Sequence, residues 1–410
     1  MQLGRFLTKI DNSRSVICNG EIIMKIIADA NIPFVKDCFS SIGEVEVFPG
    51  REIKPDVVGD ADCLLVRSVT RVDSDLLAGS RVRFVGTATI GFDHIDIEYL
   101  MRNNIGFASE PGSNANSAAE YVIAGLLEIG RKYRIKLEGK SIGIVGVGNV
   151  GSRVAKKCEA LGMKVLLNDP PLQRESSDAK YLPLEGLYEC DFITLHTPLT
   201  FEGADKTFHL ADEKFFKSLK AGCVFFNTSR GGVVGTEALK ASIRSGQLET
   251  TVLDVWDDEP NIDTELLEMV DIGTPHIAGY SLDGKIAGMI MMYKAACGYF
   301  GLKAKYDVED FLPEPDVPLL RINPSSGSEQ DVIRKAVEKI YRISEDDRKL
   351  RKILNVPTKR GEFFDSLRRN YRVRREFQNT KVEFTAETAE HAENLGRKLE
   401  GIGFKVKSDK

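Results

Sequence analysis

Residues 141–151 read Ser-Ile-Gly-Ile-Val-Gly-Val-Gly-Asn-Val-Gly, a glycine-rich turn between an apolar run and an amphipathic one. Ser141 to Val145 has the composition of a buried strand, while Val150, Val154, Ala155, Cys158 and Leu161 recur at helical spacing. Gly146, Gly148 and Gly151 therefore fall at a strand-to-helix turn, the setting in which a backbone can receive a dinucleotide pyrophosphate. The first glycine makes the turn, the second admits the phosphates and the third lets the helix pack on the strand. The helix start beyond them offers unpaired N–H groups and the positive end of a dipole. A second strand, Lys164 to Asn168, ends in Asp169, whose carboxylate can accept hydrogen bonds from ribose hydroxyls. It would repel a 2′-phosphate, and Pro170 and Pro171 follow with Arg174 the nearest arginine, so NAD is expected rather than NADP.

A chain of 410 residues, 42% hydrophobic, can bury two or three cores and exceeds one ordinary domain. A net charge of -5 argues against a general nucleic-acid or membrane-surface binder. The cysteines (18, 38, 63, 158, 190, 223 and 297) are odd in number, scattered and mostly within apolar segments. They read as reduced core residues of a cytoplasmic protein, with no metal site. No apolar stretch approaches the roughly 18 residues of a membrane span. Residues 1–23 carry Arg5, Lys9 and Arg14 among short apolar runs but no signal-peptide core. They are expected to be a disordered extension, or to reflect an upstream start codon.

From Met24 to about Ala108, short strands (Lys25–Ala28, Val45–Phe48, Cys63–Val66, Phe84–Gly86) alternate with helical or turn segments, as in a small parallel sheet. A long helix is expected over Ser113–Gly130. Further strands follow the fingerprint at Phe192–His196, Val224–Asn227, Thr251–Val255 and Asp271–Thr274, and another helix spans Lys285–Phe300. That helix would return the chain to the first domain, making a two-helix hinge with substrate in the cleft. Leu312 to Gln330 is rich in proline and serine and reads as a linker. Beyond it Val332, Ile333, Ala336, Val337, Ile340 and Tyr341 share one helical face. A small domain with such a face could bury it against a second copy. The expected organisation is an extension (1–23), a substrate-binding lid (24–115, completed by 280–305), an NAD-binding domain (116–279) and a C-terminal α+β dimerisation domain (306–410).

Three segments follow predicted strands: Asn227-Thr228-Ser229-Arg230-Gly231-Gly232, Asp254-Val255-Trp256-Asp257-Asp258-Glu259-Pro260 and Thr274-Pro275-His276-Ile277-Ala278-Gly279. Each would lie at the carboxyl edge of the sheet, where α/β proteins bind ligands. There an arginine can fix a carboxylate and polarise the neighbouring carbonyl. A histidine can move a hydroxyl proton near neutral pH, and a carboxylate behind it sets its tautomer. Singly, Glu259 could be a solvated loop residue and His276 a structural one; together they point to Arg230, Glu259 and His276 as a catalytic set.

These motifs resemble the D-isomer-specific 2-hydroxyacid dehydrogenases. Within them, Val66-Arg67-Ser68-Val69-Thr70, Gly86-Thr87-Ala88-Thr89-Ile90-Gly91-Phe92-Asp93-His94, Tyr280 and the C-terminal Leu367-Arg368-Arg369-Asn370-Tyr371-Arg372-Val373-Arg374-Arg375-Glu376 resemble the erythronate-4-phosphate dehydrogenase family. The resemblance implies a Rossmann-type NAD-binding domain with a flavodoxin-like lid. It also implies NAD-dependent oxidation of a phosphorylated sugar acid, 4-phospho-D-erythronate, in cytoplasmic pyridoxal 5′-phosphate biosynthesis, by a homodimer joined through its C-terminal domain. It carries cofactor contacts to Gly146, Gly148, Asn149, Val150, Gly151, Asp169, Thr197, Thr228, Ser229, Arg230, Asp254 and Gly279. Substrate contacts fall on Ser68, Thr89 and Tyr280. Arg67, beside Ser68 at a strand end, is the expected phosphate donor. The second candidate is the cluster Arg368, Arg369, Arg372, Arg374 and Arg375, unless it is a solvated helix face paired with Glu362, Asp365 and Glu376. Ile90 and Phe92 are bulkier than expected for the family. The rival readings are another dehydrogenase of the superfamily, above all a 3-phosphoglycerate dehydrogenase, and a non-catalytic NAD-sensing scaffold.

Overall fold

A computed structural model describes residues 5–6, 17–18, 21–22, 24–89, 91–385 and 389–407. The chain divides into two compact units, Met1–Asn114 with Leu282–Pro313, and Ala115–Ser281 with Glu314–Lys410. Most of the extension expected over 1–23, Cys18's side chain and Ile90 lie outside the described residues. Within the extension, Arg5–Phe6 forms an antiparallel edge strand against Ala108 and Phe107.

In the first unit, Met24–Asp29, Gly43–Phe48, Cys63–Val66, Phe84–Thr87 and Gly106–Ala108 form a parallel sheet. Numbered by sequence, their order is 2-1-3-4-5, the flavodoxin-like arrangement. Side chains alternate between its faces. Ile26 and Ala28 join one core with Phe39 and Phe84, while Ile27 joins the other with Leu64, Val66 and Val85. The helix Leu282–Phe300 covers the first face with Ile286, Met289, Ile290, Tyr293 and Ala296.

The second unit is built on a six-stranded parallel sheet. Its spatial order is Lys164–Asn168, Ser141–Val145, Phe192–Leu195, Cys223–Asn227, Leu248–Leu253 and Ile272–Gly273. The order reverses beside Ser141–Val145, so the glycine turn sits at the topological switch point. The helix Asn149–Ala160 starts directly after Gly148. Ala115–Tyr133 is buried along most of its length, up to the exposed Arg131 and Lys132, with Tyr121, Val122, Leu126 and Ile129 against Ile142, Ile144 and Val154.

The C-terminal segment differs from its sequence reading in two ways. Within the stretch read as a linker, Leu319–Ile322 is a strand pairing in parallel with Lys381–Phe384, which pairs in parallel with Lys405–Val406. All three strands run parallel because helical crossovers join them, which short alternating apolar runs do not reveal. The apolar face of Glu329–Ile340 is also covered within the chain. Val332, Ile333, Ala336 and Val337 share a core with Leu126 and Ile129. A second copy is not needed to bury that face.

Polar ties reinforce the same packing. Arg351 donates to the carbonyls of Leu267 (2.8 Å) and Val270 (2.7 Å), and Asp347 accepts from the Gly273 N–H at 2.8 Å. Lys157, on the fingerprint helix, donates to the Ile402 carbonyl at 2.6 Å. The cysteines described, Cys38, Cys63, Cys158, Cys190, Cys223 and Cys297, are free and buried. No helix among the described residues is long and apolar enough to cross a membrane.

Candidate active site

Three loops at the carboxyl edge of the six-stranded sheet bring the chemistry together. After Cys223–Asn227, the Asn227 amide makes the turn: its oxygen accepts from the Ser229 N–H (3.0 Å) and hydroxyl (2.7 Å), and its nitrogen donates to the Arg230 carbonyl at 3.0 Å. Arg230 in turn donates from Nη1 to the Ser229 carbonyl at 2.8 Å. Gly231 follows, where a Cβ would lie 1.9 Å from the Trp256 carbonyl oxygen. Only a residue without a side chain lets the Arg230 loop approach the Trp256 loop this closely.

On that second loop Glu259 is tied at both oxygens. Oε1 accepts from the Trp256 N–H at 2.9 Å, and Oε2 pairs with His276 Nδ1 at 2.7 Å. Burial alone would raise the Glu259 carboxyl; His276, the Trp256 N–H and Arg368 outweigh it and hold the group below its ordinary range. His276 itself sits at a φ of 56°, a left-handed conformation that is strained for a non-glycine residue. Asp254 holds it there. Its carboxylate accepts from the Thr274 hydroxyl (2.6 Å) and from the N–H groups of Ile277 and Ala278 (2.8 Å each). Tyr121 braces the same threonine with a 2.7 Å hydroxyl contact. Asp254, expected to line the cofactor, is 1% exposed and anchors the His276 loop.

At the glycine turn, Gly146 has a φ of +86° and a Cβ there would meet the His196 backbone at 2.8 Å. A Cβ on Gly151 would lie 2.0 Å from the Gly146 oxygen, whereas one on Gly148 would meet nothing within 4 Å. The first and third glycines thus allow close packing, and the second faces open space. Asp169 sits over this turn, with Oδ2 accepting from the Val147 N–H (2.8 Å) and Oδ1 from the Leu172 N–H (3.0 Å). Asn149 and Val150 open the helix beside it. Thr197 Oγ1 is buried with no hydrogen-bond partner among the described residues.

His196 is a member of this site that sequence reasoning passed over. Its ring bridges the Thr194 and Thr228 hydroxyls at 3.0 Å each, and burial lowers its pKa to about 3, so it stays neutral. The cue was present as Thr194-Leu195-His196, but a strand-end histidine has no motif that sets it apart from a core residue. Gly279 accepts from the Ser117 hydroxyl at 3.1 Å through its carbonyl.

Tyr280 is half-buried and packs edge-on against Tyr371, with ring centroids 5.7 Å apart. The guanidinium carbon of Arg368 lies 6.0 Å from the Tyr280 ring centroid. The C-terminal arginines are not a uniform solvated face. Arg374 and Arg375 are 2% and 8% exposed, and Arg374 donates to the Ser117 and Ala278 carbonyls at 2.8 Å each. Glu376, one of their expected partners, is buried and accepts from Asn116 (2.7 Å) and Ser281 (3.0 Å).

In the first unit, Arg67 is half-buried and Ser68 exposed at the end of Cys63–Val66, and the Thr89 hydroxyl donates to the Gly91 carbonyl at 2.9 Å. Arg67 lies within electrostatic reach of Glu110 and Lys285. Among the described residues, no group of histidine, cysteine and carboxylate side chains could hold a metal ion.

Residues 112–278 match the model of the D-isomer specific 2-hydroxyacid dehydrogenase NAD binding domain, and residues 311–396 match a domain of unknown function. The erythronate-4-phosphate dehydrogenase of Shigella dysenteriae is 44% identical over 360 residues, covering 88% of this chain and 94% of that protein. The Cronobacter sakazakii enzyme of the same name is 43% identical over 367 residues, covering 89% and 96%. Among solved structures, the Entamoeba histolytica 3-phosphoglycerate dehydrogenase with NAD+ bound aligns with a TM-score of 0.57 at 27% identity, covering 71% of this chain and 100% of that one. The Aquifex aeolicus D-lactate dehydrogenase complexed with NAD and lactic acid aligns with a TM-score of 0.57 at 25% identity, covering 68% and 95%. The fold, the glycine turn and these likenesses agree: the chain belongs to the erythronate-4-phosphate dehydrogenase family of the D-isomer-specific 2-hydroxyacid dehydrogenases.

Proposed function

We infer that this protein is an NAD-dependent oxidoreductase that oxidises 4-phospho-D-erythronate at C2 to (R)-3-hydroxy-2-oxo-4-phosphooxybutanoate, a step of pyridoxal 5′-phosphate biosynthesis. The observation that carries the reading is the 2.7 Å Glu259–His276 pair beside the Arg230 loop, on the edge of an NAD-binding sheet.

The residues at the glycine turn suit the cofactor. Gly148 leaves the phosphate approach open, the Asn149–Ala160 helix presents its N-terminus, and Thr197 Oγ1 is a buried hydroxyl still lacking a partner among the described residues. Asp169 at the end of the second strand suits ribose hydroxyls and disfavours a 2′-phosphate. NAD bound there supplies the hydride acceptor.

The chain's own groups do the rest. Arg230 binds the substrate carboxylate and draws charge onto the C2 oxygen. His276, turned by its Nδ1 contact to Glu259, presents Nε2 to the C2 hydroxyl and takes its proton. Glu259 remains ionised and stabilises the imidazolium that results. Ser68, Thr89 and Tyr280 are assigned to the substrate by family resemblance, as are Thr228, Ser229 and Gly279 to the cofactor. A homodimer formed through residues 306–410 and a cytoplasmic location complete the reading. Val373, 63% exposed, is an uncovered apolar side chain in that segment.

Initial rates of NADH formation with 4-phospho-D-erythronate, 3-phosphoglycerate and D-lactate test the assignment. The four-carbon phosphate ester should give the highest kcat/KM. A preference for 3-phosphoglycerate would move the chain to the neighbouring activity, and no NADH from any of them would favour a non-catalytic NAD-binding role.

A further inference from the structure

The C-terminal segment, which matches only a domain of unknown function, sends one cation to the candidate active site of its own chain. Arg368 lies in the last turn of the helix Arg360–Arg369. Its guanidinium carbon is 6.0 Å from the Tyr280 ring centroid, and it shares a hydrogen bond with the Tyr280 hydroxyl. It is also close enough to Glu259 to help hold that carboxyl ionised. Asp365, one helical turn back, adds a weaker attraction.

Glu259 attracts this arginine, but no hydrogen bond joins its Nε to the carboxylate. Both Glu259 oxygens are already engaged, Oε1 with the Trp256 N–H and Oε2 with His276. Arg368 Nε is buried with no hydrogen-bond partner among the described residues. A half-buried guanidinium with an unanswered donor is costly unless an anion completes it. Arg230 stands on the loop that meets Trp256, and Arg368 on the helix Arg360–Arg369 beside Tyr280 and Glu259. An acid held at its carboxylate by Arg230, with C2 at His276, extends its far end beyond the Glu259–His276 pair. In the substrate assigned above, that end is a phosphate carrying about -1.5 to -2 charges.

We propose that Arg368, with the Tyr280 hydroxyl, forms an anion subsite for the phosphate end of the substrate, so that the C-terminal segment of the same chain reads the phosphoryl group. This rests on the dehydrogenase reading and deepens it. Planar guanidinium N–H groups match phosphate oxygens, and the partly desolvated setting strengthens each bond.

The test compares wild type, Arg368→Met and Arg368→Lys on 4-phospho-D-erythronate and on D-erythronate at saturating NAD. Losing a charge-assisted hydrogen bond should raise KM for the phosphorylated acid by roughly 10- to 100-fold, with a smaller change in kcat. kcat/KM on D-erythronate should fall far less than on the phosphorylated acid, and the lysine variant, which keeps a positive charge beside Glu259, should recover part of the loss with its pH profile unmoved. Equal losses on both acids, or a pH profile displaced in Arg368→Lys with discrimination intact, would overturn the subsite and leave Arg368 as a positioning residue for Glu259. If Arg368→Met does not fold, inhibition by inorganic phosphate decides: it should be competitive in wild type and weaker in Arg368→Lys. Equal inhibition of both would overturn the proposal. Wild type inactive on the phosphorylated acid would overturn the dehydrogenase reading itself, an outcome separable from the others.

Discussion

His276 combines a left-handed backbone, a short contact to Glu259 and a loop pinned by Asp254, so its ring is held before any substrate arrives. His276→Ala should lower kcat by about 10²- to 10⁴-fold while leaving NAD affinity, read by nucleotide fluorescence titration, nearly unchanged. Glu259→Gln removes the charge that favours the imidazolium, so the acid limb of kcat/KM against pH should move to lower pH. An unmoved limb would remove Glu259 from proton transfer. Glu110 offers a separate test through stability. It is 7% exposed, and burial raises its pKa to about 8 against the pull of Ser113 and Arg67. The native state therefore keeps a proton that the unfolded chain releases above about 4.3. This contribution to stability is full below that pH and is lost as pH rises toward about 8. Glu110→Gln should flatten the fall of Tm over that window; an unaltered slope would contradict the assignment.

The elements most legible from sequence were those whose signals are local. The fingerprint strand and helix appear as Ser141–Val145 and Asn149–Ala160, because glycine spacing and apolar periodicity both act over a few residues. The catalytic loops were legible for the same reason, each following a strand. What local pattern could not show was which surface covers the helix Glu329–Ile340, since its partner residues on Ala115–Tyr133 lie some two hundred positions away. Nor could it separate Arg368, beside Tyr280, from Arg374, bonded to the Ser117 and Ala278 carbonyls, because both belong to one arginine-rich run. Loop spacing gives an element-level test. Gly231→Ala would drive a Cβ to 1.9 Å from the Trp256 carbonyl and part the Arg230 and Glu259 loops. Displacement of this kind should cost roughly 100-fold in kcat. Activity near wild type would show that the loops need not touch.

Residues 314–410 belong to the second unit, so removing them strips a shared core rather than detaching a module. Leu126, Ile129, Leu137, Cys158 and Leu161 lose the cover of Val332, Ile333, Leu395 and Leu399. Each large apolar side chain left exposed costs about 1.5–3 kcal/mol, against a total stability of about 5–15 kcal/mol. A chain ending at Pro313 should be aggregated or unfolded at room temperature by circular dichroism and light scattering. A well-folded monomer would show that the segment serves association alone. The central claim for the whole molecule is removal of hydrogen from C2 of a phosphorylated four-carbon acid. It is tested most directly with 4-phospho-D-erythronate carrying deuterium at C2, by mass spectrometry of the reduced nucleotide. The account predicts one deuterium in each NADH formed; unlabelled NADH, with the deuterium kept in the acid product, would contradict it.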